Sequence, residues 1–143
     1  MTLFRALTPA FSVAPQIAPA DVPAAAAAGF RLIVNNRPDG EEPGQVGGAE
    51  IAAAAEAAGL SYVAIPVSPG GFSPAQVEAL TAAVDGAGGP VLAFCRSGTR
   101  STMLWALAEA RRGTDPAELV AIAARQGYDL APLRPLLESL RRG

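Results

Sequence analysis

Residues 90–104 read Pro-Val-Leu-Ala-Phe-Cys-Arg-Ser-Gly-Thr-Arg-Ser-Thr-Met-Leu, and their order of parts decides the fold. Val91–Phe94 is a short apolar run with the composition of a buried strand. It ends on Cys95, the single cysteine of the chain. A tight loop with a glycine follows, and a helical stretch runs from there to about Arg112. Strand, loop and helix in that order form the unit from which parallel sheets are built. The same order aims backbone N–H groups and the positive end of a helix dipole at the last strand residue.

The alternation continues on both sides. Phe11-Ser-Val predicts a first strand, and 19–28 a helix with Pro19 in its first turn and Gly29 as its cap. Residues 30–35 predict a strand. Residues 36–48, with Pro38, Pro43 and four glycines, predict a loop. A helix is expected over 49–58, a strand over 60–67 and a turn over 68–71. Ser73 with Gln76 forms a capping box for a helix running to about Val84. Asp115 with Glu118 forms another, for a helix stopping at Gly127, and 132–142 closes the chain as a helix. The expected architecture is one α/β domain over residues 1–143. It has a mainly parallel sheet of four to five strands with helices on both faces. Ligands of such sheets sit beyond the carboxyl ends of the strands, so the loops starting at Cys95, Asn36 and Ser68 are expected to form the site.

Composition narrows the chemistry. Half of the 143 residues are hydrophobic, 17% are charged and the net charge is −2. That describes a folded chain with no broad basic surface, so no nucleic-acid partner is expected. The apolar runs are too short for a membrane span, and the first residues lack the pattern of a signal peptide. With one cysteine and no intrachain disulfide, a cytoplasmic location and no membrane partner are expected. There is no histidine, which removes Cys-His and Ser-His catalysis and argues against zinc. No cofactor and no metal are expected.

The loop Cys95-Arg96-Ser97-Gly98-Thr99-Arg100 supplies what an anion site needs. A helix start and nearby cations favour the thiolate form of a cysteine. Successive N–H groups of Arg96, Ser97, Gly98 and Thr99 make an anion nest, with Gly98 supplying the required backbone freedom. Arg100 grips two oxygens with its planar fork. Ser101 and Thr102 offer hydroxyls to the sulfur. Cys95 and Arg100 are thus the expected catalytic pair, with Arg96, Ser97, Gly98, Thr99 and Ser101 as anion-binding residues. Trp105 and Met103 read as core. Tyr128 and Asp129 read as structural more than catalytic.

Cys-Arg-Ser-Gly-Thr-Arg-Ser resembles the active loop of small rhodaneses. The chain as a whole resembles the phosphatase-like domain of beta-lactamase-hydrolase-like proteins. The matching stretches are 15–17, 29–30, 36–45, 59–67, 90–101 and 127–130. The resemblance implies a fold like the dual-specificity protein tyrosine phosphatases, occurring alone or joined to sulfur-handling modules. A small anionic substrate is expected, with a sulfur-metabolism enzyme as a partner.

Two reactions compete. Four residues separate Cys95 from Arg100, one fewer than in the protein tyrosine phosphatases, and phenylalanine precedes the cysteine where those enzymes usually carry histidine. Ser68–Phe72 holds no carboxylate to protonate a leaving oxygen. These features point first to a rhodanese-type sulfurtransferase that carries a persulfide on Cys95. The alternative is a phosphatase-like hydrolase working through a cysteinyl-phosphate, with Asp39 as the acid and Arg37 as an anion ligand. Against both roles stands a plain salt-bridged turn of Arg37, Asp39, Glu41 and Glu42. A third reading is an anion-binding module without chemistry.

Overall fold

Five strands of four residues each set the frame of the computed structural model, which describes residues 3–142; positions 1, 2 and 143 of the expected domain lie outside them. The strands are β1 (Arg5–Thr8), β2 (Phe11–Ala14), β3 (Leu32–Asn35), β4 (Ser61–Ala64) and β5 (Val91–Phe94). They lie in the order β1-β2-β5-β3-β4. β1 runs antiparallel to β2, and every other pairing is parallel. The cysteine strand is therefore central.

Register fixes where the loops emerge. Val91 stands opposite Phe11 on one side and Leu32 on the other, and Phe94 opposite Ala14 and Asn35. The three strands end level, so the residues that follow them, Pro15, Asn36 and Cys95, leave the sheet side by side.

Alternation along each strand divides the core in two. Val91, Ala93, Leu32, Val34, Phe11 and Val13 face one cluster. Leu92, Phe94, Ile33 and Ala14 face the other. The first cluster is covered by α3 (Pro74–Gly86), α4 (Thr99–Arg111), α5 (Pro116–Arg125) and α6 (Arg134–Arg142). The second is covered by α1 (Val22–Ala27) and α2 (Gly48–Ala57). α4 is the most enclosed helix, with eight of its residues buried. Trp105 packs against Phe11 at 6.3 Å between ring centroids, a core residue as expected.

The expected α/β architecture is present, with differences at the edges. β1 was not foreseen; Arg5-Ala-Leu-Thr has only Leu7 as an apolar anchor, a weak strand signal that pairing with β2 overrides. Of the strand expected over 60–67, Ser61–Ala64 is regular strand paired with β3; beyond it the Ile65 and Val67 N–H groups still donate to the Asn35 and Asn36 carbonyls at 2.9 Å, while Pro66 between them has no N–H to donate. Residues 19–28 divide into a 3-10 turn at Pro19–Asp21 and α1. The last helix is likewise preceded by a 3-10 turn at Ala131–Leu133. The capping box of Ser73 and Gln76 is formed. No helix among the described residues is long and apolar enough to cross a membrane.

Asn36 ties three elements together at the sheet's carboxyl edge. Its Nδ2 donates to the Ile65 carbonyl at 2.9 Å, and its Oδ1 accepts from the Ser101 hydroxyl at 2.8 Å. Asn36 and Ser101 are both fully buried. Replacing Asn36 by leucine leaves both partners unpaired away from water, which costs about 1–3 kcal/mol for each group. Urea denaturation of Asn36→Leu is expected to show the sum for two groups, about 2–6 kcal/mol, whereas Ser101→Ala, which strands one partner, should cost less.

Candidate active site

Cys95 follows the last residue of β5 and is fully buried. Its neighbouring amide is turned towards it: the Gly98 N–H donates to Cys95 Sγ at 3.1 Å. Such a close turn needs Gly98 at φ +92°, a left-handed conformation that glycine adopts without steric cost. Gly98 is the N-cap of α4, so the sulfur lies at the positive end of a 13-residue helix. From behind, the Tyr128 hydroxyl donates to the Ser97 carbonyl at 3.1 Å, and Thr102 Oγ1 donates to the Gly98 carbonyl at 2.8 Å. Ser101 and Thr102 thus hold the loop and its surroundings, and their hydroxyls are directed to Asn36 and Gly98.

Arg100 reaches across from α4 to two other loops. Its Nη1 donates to Glu41 Oε2 at 2.7 Å and to the Val67 carbonyl at 2.6 Å, and its Nη2 donates to Glu41 Oε1 at 2.8 Å. The three loops expected from sequence to meet, after β3, β4 and β5, are brought together by this one side chain. A fourth joins them: Gln16, after β2, takes a hydrogen bond from Arg37 Nη1 at 3.1 Å.

Arg37 is only 4% exposed, although it lies in a loop. Its Nε donates to Glu41 Oε1 at 2.9 Å and its Nη2 to Glu42 Oε1 at 2.8 Å. Glu42 also faces Arg96 at 3.8 Å, a long contact between exposed groups that contributes little. Asp39 sits elsewhere. Its Oδ1 accepts the Gly48 N–H at 2.8 Å, a cap on the first turn of α2. The salt-bridged turn expected as the plain reading is present for Arg37, Glu41 and Glu42. It is not a surface feature, because Glu41 connects it to the arginine of the cysteine loop.

From sequence Glu41 is one of four charged residues in the six positions 37–42 and has no separate mark of its own. The available signal was the spacing of Arg37 and Glu41, i and i+4, inside a loop with no helix to explain it. The hydrogen bonds from Arg100, and then from Arg37, hold the Glu41 carboxyl down from its ordinary 4.5 to about 2. Glu42 is lowered chiefly by its hydrogen bond to Arg37. The Arg100 guanidinium holds its proton more tightly than usual because of Glu41, and Cys95 lies close enough to add to the effect.

Residues 3–112 match the phosphatase-like domain of the beta-lactamase hydrolase-like proteins, and the chain belongs to that family. A beta-lactamase hydrolase-like protein of Agrobacterium fabrum is 41% identical over 120 residues, 83% of this chain and 28% of the relative. One from Xylella fastidiosa is 43% identical over 103 residues, 71% of this chain and 24% of the relative. The chain thus spans about a quarter of the length of these curated relatives. Among solved structures, a phosphatase candidate from Neisseria meningitidis superposes with a TM-score of 0.87 at 32% identity, covering 99% of this chain and 100% of that one. PTPMT1 in complex with PI(5)P shares the fold with a TM-score of 0.79 at 12% identity, covering 99% and 96%. The fold is that of the protein tyrosine phosphatases. The comparisons favour the phosphatase-like alternative and give no support to the sulfurtransferase reading that loop length put first.

A methyl group on Gly98 meets the Tyr128 hydroxyl and is strained at positive φ, so Gly98→Ala should lower both the denaturation midpoint and any activity; Gly98→Ala with Tyr128→Phe should recover neither fully, because the backbone strain stays. The depressed carboxyl of Glu41 adds stability that is fully present above its ordinary value of 4.5 and is lost as the pH falls towards about 2. Urea midpoints compared at about pH 6 and about pH 3 should therefore fall less in Glu41→Gln than in the wild type.

Proposed function

We propose that this domain is a cysteine-dependent phosphatase-like hydrolase acting on small phosphate esters. The observation that carries the reading is the placement of Cys95 Sγ, which accepts the Gly98 N–H at the start of α4 beside the guanidinium of Arg100. The family membership and the protein tyrosine phosphatase fold support it.

In this reading the Cys95 thiolate attacks phosphorus, the ester P–O bond breaks and the leaving oxygen departs as its anion, to be protonated by solvent. Water then attacks the cysteinyl-phosphate, breaking the S–P bond, releasing inorganic phosphate and restoring the thiolate. Arg100 and the N–H groups of the Arg96–Thr99 loop hold the charge that develops on the phosphoryl oxygens. The sulfur is shielded, so the exposed rim of Arg96 and Ser97 must move aside for an ester to reach it. With the Asp39 carboxylate engaged at α2, the best substrates are those whose leaving group needs no proton, such as aryl phosphates.

Turnover of para-nitrophenyl phosphate tests this. Cys95→Ser should abolish it, and Arg100→Met should lower kcat by about 10²–10³, the range for a lost oxyanion donor. Asp39→Asn should leave kcat near wild type and act on thermal stability instead. Wild-type turnover that survives Cys95→Ser overturns the reading. So does an absence of turnover together with added sulfur on Cys95 after thiosulfate treatment, seen as a mass increase of the intact protein.

A further inference from the structure

Arg37 is a buried arginine in a loop, and its donors are committed to protein groups: Nε to Glu41, Nη1 to Gln16 and Nη2 to Glu42. Burying a guanidinium is costly unless it is paired and hydrogen-bonded. A buried charge at this position therefore has a structural consequence for whatever it is paired to. Its principal partner, Glu41, places both carboxylate oxygens on Arg100.

The donors of Arg100 show what that pairing leaves over. A guanidinium has five N–H groups in a rigid plane. Both Nη1 hydrogens are taken, by Glu41 and by the Val67 carbonyl, and Nη2 gives one to Glu41. The Nε–H and the second Nη2–H form the adjacent edge of the fork, and no hydrogen bond among the described residues engages them with a carboxylate or carbonyl. That edge is a ready bidentate site for an oxyanion, next to the cysteine that raises the Arg100 pKa. Glu41 thus holds one edge of the fork and presents the other. It does so only while it is itself held, and Arg37 Nε on Glu41 Oε1 is what fixes it from the far side.

We propose that Arg37 is a positioning residue of the oxyanion site, acting on Arg100 through Glu41 without touching the ligand. The inference rests on the phosphatase reading for the nature of the ligand. It assigns a role to a chain of alternating charge, Arg37–Glu41–Arg100, that ties the loop after β3 to the loop after β5. Arg37 is not an anion ligand in this arrangement, because an anion at Arg37 would have to displace two carboxylates that already neutralise it.

The test is a double-mutant cycle in the Cys95→Ser background, with inorganic phosphate as the probe and calorimetry as the readout. Arg37→Met should weaken phosphate binding about tenfold, and Glu41→Gln by a similar factor. The double variant should be no weaker than the worse single one, since both changes cut the same connection. Additive losses overturn the proposal and make Arg37 a direct ligand or a purely structural residue. Tighter binding in Glu41→Gln also overturns it, since that result means Glu41 competes with the anion for Arg100. If Arg37→Met does not fold, Glu41→Gln alone decides, because Glu41 is partly exposed and its replacement is isosteric. A second readout does not need the ligand: the Arg100 Nη–H resonances, held by Glu41 and the Val67 carbonyl, should be resolved and slow to exchange in the otherwise wild-type chain and averaged in Arg37→Met. Unchanged resonances overturn the proposal. If the parent protein binds no phosphate, the phosphatase reading fails, and the resonances still decide the role of Arg37.

Discussion

A guanidinium with 4% of its surface exposed needs partners before the fold can close around it. Arg37 finds Glu41, Glu42 and Gln16, and most of the site follows from that requirement. The desolvation cost of a buried charge is several kcal/mol, and removing one partner is far more damaging than replacing a whole pair by apolar groups. Glu41 therefore cannot leave without exposing the defect, and Arg100 inherits its stability. The loop 36–47 has few hydrophobic anchors, so it is this polar network, together with the buried Asn36, that holds it against the cysteine loop.

The sheet makes the network possible. β2, β5 and β3 end level, and their next residues lead directly into Gln16, Cys95 and Asn36. Each strand is only four residues long, so a register slip of one residue would turn a whole face of the core to the wrong side. The division of Val91 and Ala93 from Leu92 and Phe94 between two hydrophobic clusters makes that slip expensive. Packing precision in the core becomes positional precision at the sulfur.

Much of this was legible in the residues. The apolar run Val91–Phe94, the glycines that end helices and the capping box at Ser73 all signal local structure by mechanisms that act within a few positions. The meeting of three loops at the cysteine was readable for the same reason, since it follows from strand direction alone. The pairings inside the site were not. Whether Asp39 or Glu41 turns towards Arg100 depends on where the backbone of 36–47 runs, and three glycines and two prolines there leave no periodicity to read. The sequence also carried no sign that Arg37 would be buried, because a charge in a loop is solvated far more often than it is enclosed. Loop length by itself points to sulfur transfer, whereas the frame around the loop is that of the phosphatases.

The complete enclosure of Cys95 has a bearing on its survival under oxidative stress. A thiolate is the form that peroxides attack, and the first product, a sulfenic acid, is rescued when a second thiol condenses with it. This chain has one cysteine, so it carries no resolving partner of its own, and further oxidation would be irreversible. Shielding the sulfur beneath its own loop confines that attack to the moments when the rim of Arg96 and Ser97 stands open.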